Sequence, residues 1–311
     1  MTPLAAGLDY FDLHFAGHRG FIATGLVHGT AGVGLVDPGP ATTLPAIRAA
    51  LTERGFTTAD IRWILLTHIH LDHAGATGTL LREAPHARVL VHERGVKHMV
   101  DPGKLIESAT RLYGDQMAPL WGEIAPVPAG RIDAIGDRGS GTIAGHDVEI
   151  AYTPGHAWHH VSYWVPSSRI AFVGDTAGMC RPGGSAVLPL TAPPDTDLDA
   201  WRDSTQRILA WDPDVLFLTH FGPHRSPRVH YQALWRQMAL WRDRVAAYHA
   251  DRRARVKPAP GVRVSYGGRV YRLIESAGPR LGWRVADELG QLYRMRAHQL
   301  RAAQFLGAAS C

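Results

Sequence analysis

The sequence predicts a layered α/β fold, and three observations carry that expectation. Short apolar runs, Ile61 to Leu66, Ile170 to Val173 and Val215 to Leu218, read as buried strands. Amphipathic segments such as Leu44 to Arg54 alternate with them and read as helices. Four strand-like runs end in histidine or aspartate, at the edge where open α/β sheets place ligands.

In chain order, Asp9 to Phe15, Gly20 to His28 and Val33 to Asp37 form a meander with Gly29-Thr30-Ala31-Gly32 as a turn. A helix from Leu44 to Arg54 follows, opened by Thr42 or Thr43, with Pro45 in its first turn and Gly55 after its end. The strand Ile61 to Leu66, a helix from Ala76 to Glu83 and the strand Arg88 to His92 complete a β-α-β alternation. Residues 93–125 form a broken, helix-rich apolar segment that either caps a pocket or packs as core, with Met117, Leu120 and Trp121 as candidate substrate contacts. Leu198 to Leu209 and Ser226 to Tyr248 read as helices, the latter with Leu234, Met238, Trp241 and Val245 as a core stripe. Pro258-Ala259-Pro260-Gly261 reads as a boundary. Beyond it come a hairpin turning at Gly267-Gly268 and a helix from about Trp283 to Phe305.

The chemistry concentrates in Thr67-His68-Ile69-His70-Leu71-Asp72-His73. His68 and His70 stand at i and i+2 where the backbone is still extended, so both face one side. Thr153-Pro154-Gly155-His156, Gly174-Asp175-Thr176 and Thr219-His220 end the other strand-like runs. Imidazole with carboxylate suits zinc, iron or manganese, and no cysteine lies near enough in sequence for a thiolate site. Asp37 is a candidate support for the site or a turn residue before Pro38. His159 and His160 read as outer support or surface, and the Arg181 to Pro194 loop as pocket rim. Gly-x-Ser-x-Gly is absent, so a serine hydrolase is not indicated.

These motifs, in this order, resemble the metallo-β-lactamase superfamily and most closely its glyoxalase II-like metallo-hydrolases. The resemblance implies a four-layered αββα sandwich with a two-metal site. It implies His68, His70 and His156 on one divalent ion, Asp72, His73 and His220 on the other, and Asp175 bridging, with Asp72 and Asp175 as the catalytic carboxylates. The expected ions are zinc, with iron or manganese as alternatives. The expected reaction is attack of a metal-bridging hydroxide on a thioester, lactone or related ester. The alternative is a mononuclear iron persulfide dioxygenase using residues matching His68, His156 and Asp175. Ala157-Trp158-His159-His160 departs from the glyoxalase II pattern after the ligand histidine, which argues against glutathione as the carrier.

Charge is uneven. Residues 251–311 hold twelve Lys+Arg against four Asp+Glu, while residues 1–250 hold 21 against 24. The reading is therefore a catalytic domain over 1–250 and a basic extension, hairpin plus helix, over 251–311. Only three of the 33 basic residues are lysines, a bias better ascribed to codon composition than to anion binding. A nuclease or nucleic-acid partner is accordingly disfavoured. A small-molecule substrate, no membrane, a cytoplasmic location and a homodimer built through the extension complete the expectations; two cysteines are too few for a disulfide framework.

Overall fold

The computed structural model describes residues 1–184, 186–192 and 194–253, and five strands beyond them, for which only the backbone is described. Close contacts divide the chain into two units, Met1–Ala239 and Leu240–Cys311.

In the first unit the strands β1 (Thr2–Ala5), β2 (Leu8–Asp12), β3 (Ala23–Gly29), β4 (Gly32–Val36), β5 (Ile61–Leu65), β6 (Arg88–His92) and β7 (Ile132–Ile135) form one sheet in sequence order. The first four strands are antiparallel, β1 to β2 and β3 to β4 through short turns and β2 to β3 through residues 13–22; β4 to β7 run parallel across longer connections. The second sheet comprises β8 (Arg138–Ile143), β9 (His146–Tyr152), β10 (Val161–Val165), β11 (Ile170–Phe172), β14 (Val215–Leu218) and β15 (Gly222–Arg225), with β15 and β8 at its edges. A short ladder, β12 (Met179–Cys180) with β13 (Val187–Leu188), follows β11 in the chain.

Leu8, Val27, Val36 and Leu65 from one sheet meet Val148, Val161, Phe172 and Phe217 from the other in a shared core. The outer face of the first sheet is covered by α1 (Leu44–Glu53) through Ile47 and Leu51. That of the second is covered by α7 (Leu198–Ala210) and the first part of α8 (Pro227–Arg253), through Trp201, Ile208, Leu234 and Met238. The result is the four-layer αββα sandwich expected.

Local details differ from expectation for physical reasons. Thr43 is the N-cap of α1, yet its hydroxyl donates to Pro40 O (2.8 Å) rather than capping a helix N–H. The helix expected over 76–83 is a single turn, Thr77–Leu80, and another turn, Leu71–Ala74, precedes it within the metal loop. The core stripe of α8 ends early: Leu234 and Met238 are buried, but Val245 is 52% exposed. β8, Arg-Gly-Ser-Gly-Thr-Ile, has little strand propensity; as an edge strand it needs an apolar partner on one side only.

The second unit corrects the expected hairpin-plus-helix. The hairpin pairing exists, with Tyr266 opposite Arg269. The helix from Trp283 to Phe305 does not: Trp283–Asp287, Leu292–Met295 and Gln304–Ala308 are strands of a five-stranded antiparallel sheet with Val262–Tyr266 and Arg269–Ser276. The apolar spacing of Val285, Leu289 and Leu292 fits a helix, but short runs fit strands equally, and Gly290 disfavours a helix between them. The Pro258 to Gly261 boundary lies outside the described residues. Among the described residues no helix is long and apolar enough to cross a membrane.

Candidate metal centre

Strand β5 ends at Leu65, and the loop leaving it carries four of the expected site residues. Its neighbours β4 and β6 hold it in parallel register, so the loop starts from a fixed point between the sheets. β9, β11 and β14 deliver His156, Asp175 and His220 to the same place. All seven residues expected from the sequence converge there, in two groups: His68, His70, His156 and Asp175, and Asp72, His73 and His220. Within each group the candidate donor atoms lie within 4.8 Å of one another.

Two glycines make the approach feasible. Gly155, at φ +129°, packs so closely on α7 that an added Cβ would press on the backbone of Trp201. Gly174, at φ +47°, leaves no room for a Cβ beside Thr67 and His160.

The histidines are held in one tautomer by acceptors behind them. His73 Nδ1 donates to Asp37 Oδ2 (2.8 Å), His156 Nδ1 to Leu190 O (2.5 Å) and His220 Nδ1 to Phe21 O (2.7 Å). Thr67 gives its hydroxyl proton to Asp37 (2.8 Å), so His68 Nδ1 is the donor in the 3.1 Å contact with Thr67 Oγ1. The Nε2 of each of these four rings is thereby left with its lone pair toward the centre, the arrangement metal-binding histidines adopt. Facing nitrogens lie at short range: His68 Nε2 to His70 Nδ1 2.9 Å, His156 Nε2 to His70 Nδ1 3.1 Å, and His73 Nε2 to His220 Nε2 3.2 Å. Two lone pairs as close as those of His73 and His220, both committed to acceptors through Nδ1, repel unless a positive charge lies between them.

Asp37 is the hub of this support. Its carboxylate accepts from Thr67 N (2.8 Å), Thr67 Oγ1 (2.8 Å), His73 Nδ1 (2.8 Å) and Thr219 Oγ1 (2.7 Å). The residue is fully buried at φ +52°, a conformation uncommon outside glycine and tolerated by aspartate. Asp37 therefore supports the site, the first of its two sequence readings. The twin pairs Thr67-His68 and Thr219-His220 were the signal for the rest: each threonine before a histidine reaches Asp37. His160 is an outer support, accepting from Asp175 N (3.3 Å) while bonded to Thr153 Oγ1 (2.9 Å). His159 stacks on His68 with centroids 6.1 Å apart. The Leu190 carbonyl, on the loop expected at the rim, was beyond sequence reasoning because a backbone acceptor has no residue signature.

Asp175 spans the two groups. Its Oδ2 lies 3.3 Å from His156 Nε2 and 3.9 Å from His68 Nε2, whereas Oδ1 lies 3.2 Å from His73 Nε2 and 3.6 Å from His220 Nε2. Oδ1 is buried without a hydrogen-bond partner, a costly condition that a cation would relieve. Burial alone would raise the Asp175 carboxyl, but His73, His220 and His156 hold it well below the usual carboxylate range. Burial lowers His70 to about 4 and takes His68 well below its ordinary value, so both are neutral at pH 7. For His73 burial acts downward, yet Asp175, Asp37 and Asp72 drive it well upward, and His220 is raised by Asp175 and Asp72. Anionic carboxylates and imidazoles whose free nitrogens face one another form a donor set that fits divalent cations.

Solvent reaches the centre from one side. The side chains of His68 and His73 are fully buried, while that of Asp72 is 29% exposed. Between His70 and Asp72, Leu71 packs under Ala109 and Trp121 of α5 (Gly103–Tyr113) and α6 (Met117–Trp121), with Met117 and Leu120 against the same cluster. The segment 93–125 thus abuts the metal loop.

A sandwich of this topology with a His/Asp cluster at its strand ends defines a class, and the sequence agrees: the Metallo-beta-lactamase superfamily profile matches residues 19–220. The chain belongs to the metallo-β-lactamase superfamily. Among relatives, the metallo-beta-lactamase fold-containing protein ST1585 of Sulfurisphaera tokodaii is 32% identical over 163 residues, 51% of this chain and 60% of that protein. A hydroxyacylglutathione hydrolase of Maricaulis maris is 31% identical over 142 residues, 45% of this chain and 44% of that enzyme. The chain thus spans roughly half the length of the curated relatives it matches. The crystal structure of ST1585 superposes with a TM-score of 0.61 at 26% identity, covering 74% of this chain and 85% of that one. A subclass B3 metallo-β-lactamase from a soil metagenome, MEM-A1, shares the fold at 20% identity, with a TM-score of 0.56 over 80% of this chain and 97% of that one.

Proposed function

We propose that the protein is a dinuclear metal-dependent hydrolase of a thioester, lactone or related ester. The observation that carries this reading is the placement of Asp175, one carboxylate oxygen toward each group of donors. In this assignment His68, His70 and His156 hold one ion, Asp72, His73 and His220 the other, and Asp175 bridges them. Zinc is the expected metal, since imidazole and carboxylate donors suit it without requiring redox chemistry. Bound there, divalent ions would supply an activated water near neutral pH and a Lewis acid for a carbonyl, so that no side-chain nucleophile is needed.

The chain's own part is positioning. Asp37, Leu190 O and Phe21 O fix the imidazole planes, and Asp175 sets the spacing between the two groups. Asp72 stands at the mouth, where an incoming acyl group meets the site. The apolar wall formed by Met117, Leu120 and Trp121 beside Leu71 suits an acyl chain and disfavours water. The likeness to hydroxyacylglutathione hydrolases supports the thioester class, while Ala157-Trp158-His159-His160 argues for a carrier other than glutathione.

The test is chelator-stripped protein reloaded with zinc, assayed on a panel of thioesters and lactones. Activity is expected to return only with metal and to be abolished in Asp175→Ala, which should also lose metal while remaining folded. A folded Asp175→Ala protein with full metal content and near-normal turnover would contradict the assignment. One bound iron per chain with oxygen consumption on a persulfide would replace it with the dioxygenase alternative.

A further inference from the structure

Immediately behind His220 lies a second group of donors that the hydrolase reading leaves unused. Cys180, on β12, His224, on the edge strand β15, and His230, in the second turn of α8, each offer one ligand atom within 4.8 Å of the other two. Their imidazole rings are 5.0 Å apart. Cys180 is 3% exposed and His230 7%, while His224 is only half-buried.

His230 is tied from behind by a backbone carbonyl: its Nε2 donates to Ala177 O at 2.7 Å, and its lone pair stays on Nδ1. A backbone carbonyl orients His156 and His220 likewise, there through Nδ1 rather than Nε2.

We propose that Cys180, His224 and His230 form a separate zinc site, with one thiolate, two imidazoles and a fourth position open to water on the His224 side. Thiolate with imidazole is a borderline-soft set that selects zinc over magnesium or calcium. Bond lengths of about 2.3 Å to sulfur and about 2.0–2.1 Å to nitrogen require the donors to draw in by roughly 1 Å, within reach of Cys180 χ1 and the half-exposed His224. On binding, the S–H bond breaks, its proton passes to solvent and the sulfur lone pair forms the bond to zinc. Binding competes with the thiol proton and so strengthens as pH rises.

The site ties the segment after Asp175 to the strand after His220. Cys180 N donates to His220 O at 2.7 Å, and Ala177, whose carbonyl holds His230, is two residues past Asp175. Zinc here would brace the backbone on which two of the catalytic-group side chains are carried.

Cobalt(II) titration of the full-length, metal-stripped protein tests this apart from the hydrolase reading, because no cysteine belongs to the seven-residue set. The expected result is a thiolate-to-cobalt charge-transfer band, retained in Cys311→Ser and lost in Cys180→Ser. Zinc content should fall by one per chain in Cys180→Ser, whatever number the histidine-aspartate centre holds. His224→Gln, on an edge strand, gives a second variant: the band should weaken by at least tenfold in cobalt affinity. A protein with no thiolate band at saturating cobalt overturns the proposal. So does a band that survives Cys180→Ser, or zinc content and cobalt affinity unchanged in His224→Gln.

Discussion

At the scale of single residues, the centre depends as much on what lies behind the donors as on the donors themselves. Asp37 accepts four hydrogen bonds and touches both threonines that precede ligand-candidate histidines. Replacing it with asparagine presents an N–H₂ to His73 Nδ1–H or leaves the threonines unpaired. Outer partners of this kind typically contribute about 10–100-fold to metal affinity or activity. Asp37→Asn is therefore expected to weaken zinc binding by about 10–100-fold, measured by competition with a chromophoric chelator, with the circular dichroism spectrum unchanged. The seven candidate donors were legible in the sequence because each follows a strand-like run at short range. Asp37 was half legible. Leu190 O and Phe21 O were not, since the contacts they make are with His156 and His220, 34 and 199 residues away.

At the scale of elements, regular structure was readable wherever one local period dominated. Arg88 to His92 and Val215 to Leu218 are strands to the residue, because a continuous apolar run in a parallel or central position leaves few alternatives. The strands after residue 282 were misread because pairing with other strands, rather than local composition, stabilises them: Arg284 pairs with Glu275, and Val264 with Phe305. The helical segment 93–125 is where element and function meet. Trp121 is buried, stacks on Phe15 at 5.5 Å and covers Leu71 of the metal loop. Trp121→Ala is expected to cost about 3–5 kcal/mol in denaturant-induced unfolding. Met117→Ala, at the margin of the same cluster, should raise KM for long-chain acyl substrates with kcat little changed; equal KM values for the two proteins would remove this segment from the substrate path.

At the scale of the whole molecule, the seven residues of the proposed centre and the Cys180 group all belong to the unit Met1–Ala239. The remainder carries most of the excess positive charge, and among the described residues the members of both groups lie in the first unit. A chain ending at Ala259 is therefore expected to fold, bind the same number of ions and retain turnover. Its solution mass, set beside that of the intact chain, also tests the proposed homodimer. Loss of metal from a folded truncate would assign the second unit a share in the site. The central claim, two ions joined by Asp175, is tested most directly by anomalous diffraction at the zinc edge from crystals of the reloaded protein. The account predicts two peaks flanking Asp175, about 3.5–4 Å apart, one among His68, His70 and His156 and one among Asp72, His73 and His220. A single peak at Asp175, with Asp72 and His73 turned away from it, would contradict the account.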